Sequence, residues 1–314
     1  MSNYGSYASY FIDTSTPFDQ QMCMFDDTRT WQQYFLQAAI TNYENVTAIW
    51  LEARLAGFQL SQEDQDYLDE LDGQITVAAA SYSYGSADEY LQMAYGPAAT
   101  LTSYHAFVER QITASAYLQA LVDEKPYTED DISKYYDDNA DSYAGNGIEK
   151  SDVKMVNVRH ILIQPEGKND DGTYTDEAWA EAEKKANDLL TEWQNGEHTE
   201  DSFAFMAAEN SQDPGSVENG GLYEDIYPGK KVDEFDAWCF DPARQPGDTG
   251  IVKTSYGYHI MYFSSTGEHA YWYVRAEEDY LNELSVSVLQ EVAAKFEVTE
   301  SEQNAAIVDI MQQN

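Results

Sequence analysis

Basic residues are scarce in this 314-residue chain: 17 Lys and Arg stand against 57 Asp and Glu, a formal net charge of −40. A phosphate backbone needs a basic face, so no nucleic-acid partner is expected. The acidity reads as a source of solubility and self-repulsion. The deficit is uneven. Before Lys150 the only basic residues are Arg29, Arg54, Arg110, Lys125 and Lys134, whereas the middle of the chain carries Lys154, Arg159, Lys168, Lys184, Lys185, Lys230 and Lys231. Cysteine is almost missing. Cys23 and Cys239 lie far apart and build no CxxC motif, disulfide framework or thiolate metal site. Cys239, inside AWCF, reads as a small buried hydrophobe. No apolar run approaches the ~18–20 residues of a membrane helix. Residues 1–22 lack the basic and apolar regions of a signal peptide, so any membrane association is expected only through a segment absent from this chain.

What is present is apolar and aromatic in quantity: 43% hydrophobic and 14% aromatic residues, with 25 Tyr, a globular composition. Residues 1–24 read as a flexible Tyr- and Ser-rich tether. From about 28 to 57, Trp31, Phe35, Ala38, Tyr43, Val46 and Ile49 recur at three-and-four spacing, the mark of an amphipathic helix. A second helix is expected from near Ser61, and a third behind a Ser86–Glu89 capping box. The longest is expected over about 98–123, and one more, capped at Thr128, ends near Tyr143. Residues 25–147 thus read as an all-α, chaperone-like domain. Trp31, Phe35, Tyr104, Phe107, Trp272 and Tyr273 fall on apolar helical stripes and are expected mostly in the core.

After AGNG at 144–147 the pattern changes. Residues 153–163 alternate and end in RHILI, a strand buried in a sheet. Two helices follow over about 176–194 and 201–210, then a Gly-rich stretch and a short helix around 232–240. Strands over about 249–254 and 258–264 close the segment. Strand, helices and strands in this order give an α+β domain at 150–265. Residues 266–314, a helix and tail, are expected to pack on the N-terminal helices, so that the α+β domain is an insert in an all-α frame.

Three polar positions stand out in the insert: His160 in the first strand, His259 in the last, and Asp213 in NSQDPGS. Singly, each has a bland explanation: a strand His is commonly a hydrogen-bonded core residue, and an Asp before Pro a turn former. Two His and one Asp also invite a metal reading. Neither His has a partner ligand at i+2 or i+4, and no metal or cofactor is expected.

The order of the blocks is more specific than the residues. VRHILI, an Ala- and Leu-rich helix, DSFAFMAAENSQDPGSVENGG, PGKKVDEFDAWCF and GDTGIVKTSYGYHIMYF follow one another. This succession resembles the parvulin family of peptidyl-prolyl cis/trans isomerases over about 110 residues. The helical flanks, and TEDDISKYYDDNADSY in particular, resemble the frame of the extracytoplasmic parvulin foldases of Gram-positive bacteria. The resemblance implies a parvulin-like antiparallel sheet with surrounding helices, isomerase and foldase activity on proline-containing clients, and a location outside the cytoplasm. A non-catalytic holding chaperone on the same fold is the alternative. Carried over position by position, His160 and His259 match the facing histidines of the parvulin site. Asp213 matches a position held by Cys or Asp, and Thr254 a Thr in the same network. Phe235 matches the aromatic that floors the proline pocket, and Met206 an apolar residue near it. Lys231 departs from the pattern, standing where Met or Leu usually lines the proline site, and GGLYEDIY departs from the commoner GGDLGWF.

Overall fold

A computed structural model describes residues 11–13, 15–167, 169 and 172–296. The chain divides into two compact units, Met1–Pro126 with Leu281–Asn314, and Tyr127–Tyr280. The architecture is α+β, with helical N- and C-terminal regions around a four-stranded antiparallel sheet.

In the first unit a short hairpin, β1 (Met22–Cys23) and β2 (Asp26–Thr30), leads into α1 (Trp31–Ala56). Then come α2 (Gln62–Ser81), α3 (Ala87–Tyr95) and α4 (Leu101–Asp123). At 26 residues α1, not α4, is the longest helix. Each starts on a Ser or Thr, at Thr30, Ser61, Ser86 and Thr100, whose hydroxyl accepts an amide that the helix leaves without a partner. Such caps are worth about 1 kcal/mol each. The box expected at Ser86 is stretched by one residue: Glu89 reaches past Ser86 and accepts from the Gly85 amide at 2.8 Å. Ile49, Ala114 and Val292 form the unit's core with Val46, Trp50 and Leu118 packed round them. Of the segment expected to be a tether, residues 1–10 and 14 lie outside the described residues, while Ile12 and Cys23 pack around Trp31. Tail residues 297–314 also lie outside them. Of the aromatics expected in cores, Trp31 and Tyr273 are buried, whereas Phe107 is 48% exposed.

The second unit opens with α5 (Glu129–Asp138) and α6 (Ala140–Gly145). Ile132, Tyr136 and Tyr143 from these helices cluster with Tyr273 and Ala276 of a later one. The sheet begins at β3 (Lys154–Ile163), followed by α7 (Asp176–Asn195) and α8 (Glu200–Asn210). Next are β4 (Leu222–Ile226), α9 (Asp233–Cys239), β5 (Thr249–Thr254) and β6 (Gly257–Ala270). The last helix, α10, spans Tyr271–Ala293. The strand order is β4-β3-β6-β5, all neighbours antiparallel. β4 was not foreseen, and β6 runs six residues beyond the expected strand.

Because side chains alternate across a sheet, β3 and β6 feed two separate cores. Ile161, Ile163, Tyr258, Ile260 and Tyr262 face α7 and α8. Val156, Val158, Met261 and Phe263 face α9, where Phe235 and Cys239 complete the layer. Cys239 is 1% exposed, and burial pushes its thiol up to about 12, as befits a packing residue.

One glycine holds the two halves of this unit at contact distance. Gly221 has φ +75°, and a Cβ there would lie 2.3 Å from the His160 carbonyl oxygen and 2.9 Å from the Ala207 Cβ. Gly147 has a similar φ, +71°, in open space. Gly147→Ala should cost only the ~1–2 kcal/mol of left-handed backbone strain, whereas Gly221→Ala should cost about 3 kcal/mol or more by adding overpacking. Urea unfolding of the two variants measures the difference, and equal losses would mean that the close approach is unimportant.

Candidate active site

His160 and His259 come together through strand register. Leu162 pairs with His259 and His160 with Met261, so the two histidines are diagonal neighbours on one face. Their Nδ1 atoms are 3.0 Å apart, and the side chains are 2% and 6% exposed. Thr254, on β5, places its Oγ1 2.9 Å from His259 Nε2 and accepts the Tyr256 amide at 3.1 Å.

Asp213 is held by the strand-like course of residues 211–213 beside β3. The Gln212 amide donates to the Leu162 carbonyl at 2.9 Å, and the Leu162 amide to Ser211 Oγ at 3.1 Å. Further on, Arg159 grips the carbonyls of Asn219 and Gly220 at 3.0 Å, and the His160 amide donates to the Gly221 carbonyl at 2.9 Å. The loop carrying Asp213 is therefore tied to the sheet on both sides. Asp213 Oδ2 lies 3.0 Å from His160 Nε2 and accepts the hydroxyls of Ser216 at 2.5 Å and Tyr223 at 2.8 Å. Its pKa is driven well below the usual carboxylate range, first by the His160 hydrogen bond and then by Ser216 and Tyr223, against the opposing effect of burial.

These contacts fix the protons. An ionised carboxylate only accepts, so His160 Nε2 carries a hydrogen. Burial, and then the neighbouring His160, push His259 down to about 3, so its ring is neutral near pH 7. Where His160 also carries a single ring hydrogen, one direction satisfies every group. Thr254 donates to His259 Nε2, His259 Nδ1–H to His160 Nδ1, and His160 Nε2–H to Asp213. A chain of this kind polarises along its length.

The chain lies beside a cleft of about 500 Å³ whose lining includes His160, Asp213, Tyr223, Lys231, Phe235 and His259. Phe235 is 2% exposed and stands edge-on to both imidazoles, with ring centroids 5.4 Å away at 86°. Tyr223 stacks on His160 at 4.9 Å. The Lys231 ammonium sits 3.1 Å from the Tyr223 ring centroid. Thr254, 4% exposed, lies behind His259 and is not among the lining residues.

Six of the seven residues singled out from the sequence are thus gathered at one place. Met206 is not. It packs on α8 with the cluster of Ile161, Ile260 and Phe203, on the sheet face opposite the histidines. Two participants were not foreseen, Ser216 and Tyr223. Tyr223 sits in the departing GGLYEDIY block, the one signal that pointed to it.

Residues 146–265 match the family model described as PPIC-type PPIASE domain, and this stretch of the chain is a parvulin-type domain. The chain is also similar in sequence to proteins named as foldases. It is 30% identical over 106 residues to foldase protein PrsA 1 of Listeria innocua, covering 34% of this chain and 29% of that one. It is 25% identical over 208 residues to foldase protein PrsA of Clostridium botulinum, covering 66% and 54%. The crystal structure of PrsA from Bacillus subtilis aligns over 91% of this chain and 96% of that one, with 18% identity and a TM-score of 0.38. In sequence, the chain spans about half or less of the curated relatives it matches.

The network makes a prediction about acid. Both shifts are downward, so between pH 6.5 and about 3 the unfolded chain takes up a proton at His259 that the folded chain refuses, and below about 4 the same holds for Asp213. Stability therefore rises with pH, with a slope from His259 approaching ~1.4 kcal/mol per pH unit inside its window. Urea midpoints measured from pH 7 to 4 should fall. In His259→Gln, the slope between pH 6.5 and 4 should flatten whatever the variant's absolute stability.

Proposed function

We propose that the chain is a peptidyl-prolyl cis/trans isomerase acting on X-Pro bonds of unfolded or secreted proteins, working without covalent chemistry. The observation that carries this reading is the hydrogen-bonded series Thr254–His259–His160–Asp213 running beside a cleft floored by Phe235.

The X-Pro amide is planar by resonance, and rotation crosses about 18–20 kcal/mol, which takes tens to hundreds of seconds unaided. No bond has to break, so the site needs only to bind the twisted amide better than either planar form. Phe235, the Tyr223 ring and the Lys231 stem offer the prolyl ring an apolar seat. Twisting draws negative charge off the carbonyl oxygen and leaves a lone pair on nitrogen, a change that oriented polar groups favour when they need no rearrangement. His160 and His259 act here by fixing hydrogen-bond polarity, and Thr254 by holding the His259 tautomer. Asp213 orients His160 and sets the local field. Its Oδ2 already accepts three hydrogen bonds, which suits it poorly to attack on an amide.

Residues 25–126 with the end of α10 would form the holding part. Exposed Leu55, Val77, Met93 and Phe107 offer apolar contacts to an extended client, and the acidic surface would keep the complex in solution. The similarity to PrsA foldases supports proline-containing polypeptides as clients and a location outside the cytoplasm, at the cell surface of a Gram-positive-type cell or secreted. Lys231, an ammonium where the prolyl ring would sit, favours the second reading, a holding chaperone that does not catalyse.

A protease-free exchange assay on short X-Pro peptides separates the two. The intact chain should accelerate exchange well above background. His160→Ala and Asp213→Ala should each lose about tenfold or more, and Tyr223→Phe, which removes one of three donors to Asp213, should lose less. No acceleration with any residue before proline would leave the holding chaperone.

A further inference from the structure

Lys231 lines the cleft, where among the described residues it makes no ion pair, and Asp213 and Asp236 act on its ammonium only at longer range. Several lysines of this acidic chain are matched with carboxylates, among them Lys134 with Asp138, Lys150 with Asp137, Lys184 with Asp188 and Lys295 with Glu52, whereas Lys253 rests on the Trp179 and Tyr258 rings outside the cleft. No ion pair joins Lys231 to a carboxylate among the described residues, and its ammonium rests on the Tyr223 ring. The side chain is half-buried, and desolvation lowers its pKa, so keeping the charge there has a cost. Lys230 lines the same cleft, with its ammonium donating to the Asp225 carbonyl at 3.0 Å. The one carboxylate in the lining, Asp213, has its Oδ2 occupied by His160, Ser216 and Tyr223, and its Oδ1 faces the Gly215 amide at 3.4 Å. The cleft lining thus sets two ammoniums beside one internally engaged carboxylate, in a protein that is otherwise strongly anionic.

We infer that Lys231, supported by Lys230, makes this cleft selective for X-Pro segments carrying a carboxylate side chain next to the proline. The inference rests on the proposed peptide-binding role of the cleft and specifies which peptides it takes. A client carboxylate would supply the partner that Lys231 lacks, in a partly desolvated place where a charged hydrogen bond is stronger than at an open surface. The aliphatic stem would still pack against the prolyl ring. Elsewhere on the chain an acidic client meets repulsion, so this cleft would be where such segments dock.

The test uses the full chain and three short peptides differing only beside the proline, as Glu, Gln or Leu, with Glu placed before the proline in one set and after it in another. Binding is followed by NMR titration of the His160 and His259 ring signals, and exchange is measured on the same samples. The Glu peptide of at least one set should bind at least about fivefold more tightly than its Gln counterpart, and the advantage should shrink with added salt. Lys231→Met should bring the Glu-to-Gln ratio to about one. Lys231→Gln, which keeps a polar stem, serves if the Met variant folds poorly. If the Glu preference and its loss in the variant are seen without any acceleration of exchange, the isomerase reading falls and the selectivity stands. Equal binding of Glu and Gln peptides in both sets, or a Glu preference that survives both substitutions, overturns the selectivity. Absence of binding by every peptide overturns both.

Discussion

Two imidazole nitrogens 3.0 Å apart in a buried place need one proton between them, neither two nor none. That requirement governs the rest of the site. Once His259 is neutral and donates from Nδ1, its other nitrogen must accept, which makes Thr254 a donor. His160 must then present its hydrogen from Nε2, which calls for an acceptor, and Asp213 is there. The requirement also reaches down into the backbone. A slip of one residue between β3 and β6 would send one histidine to the opposite face, so the start of β6 has to lie close against the end of β3. Gly257 permits this: with φ +149°, a Cβ on it would stand 2.4 Å from the Ile163 carbonyl oxygen.

The charge of the chain and the charge of the site are organised on different principles. Over the helices, acid is placed where it helps: the first turns of α2, α3, α5, α7 and α8 carry Asp or Glu, near the positive end of the helix dipole. In the cleft, Asp213 is the acid among the lining residues, and its charge is held by donors from inside the fold. Tyr223 matters in both respects. Its hydroxyl donates to Asp213 while its ring supports Lys231, and burial together with the Asp213 contact pushes it up to about 12, so it remains a donor across the ordinary pH range.

How much of this could be read from the sequence differs from element to element, for physical reasons. RHILI announced β3 because a strand buried on both faces has to be apolar almost throughout, and the Ser and Thr caps announced the helices because an amide without a partner needs a specific chemical answer. β4 was missed because LYEDI is a partly exposed edge strand, with only Ile226 fully buried, and carries no alternating signal. The β1–β2 hairpin hid because its strands are only two and five residues long, too short for an alternating signal. Histidines, Asp213, Thr254 and Phe235 were legible only as an ordered set, since no single one has a distinctive context. Met206 lies away from the cleft, since with Phe203, three residues before it on α8, it packs on the cluster of Ile161 and Ile260. Ser216 was silent because a hydroxyl three residues after an Asp has no periodicity to betray it.

A final constraint links the missed residue to the unusual one. Tyr223 and Lys231, both in stretches that depart from the pattern of the resemblance, face each other in the cleft. An ammonium in a half-buried cleft needs either a carboxylate or a polarisable face, and a Tyr ring supplies the second without cancelling the charge. A carboxylate in that position would have locked Lys231 into a fixed pair and filled the cleft. An aliphatic residue would have left the ammonium without compensation and favoured its turning outward. The aromatic face is the arrangement that holds the charge in place without pairing it, so the two departures from the pattern of the resemblance are better understood as one change than as two.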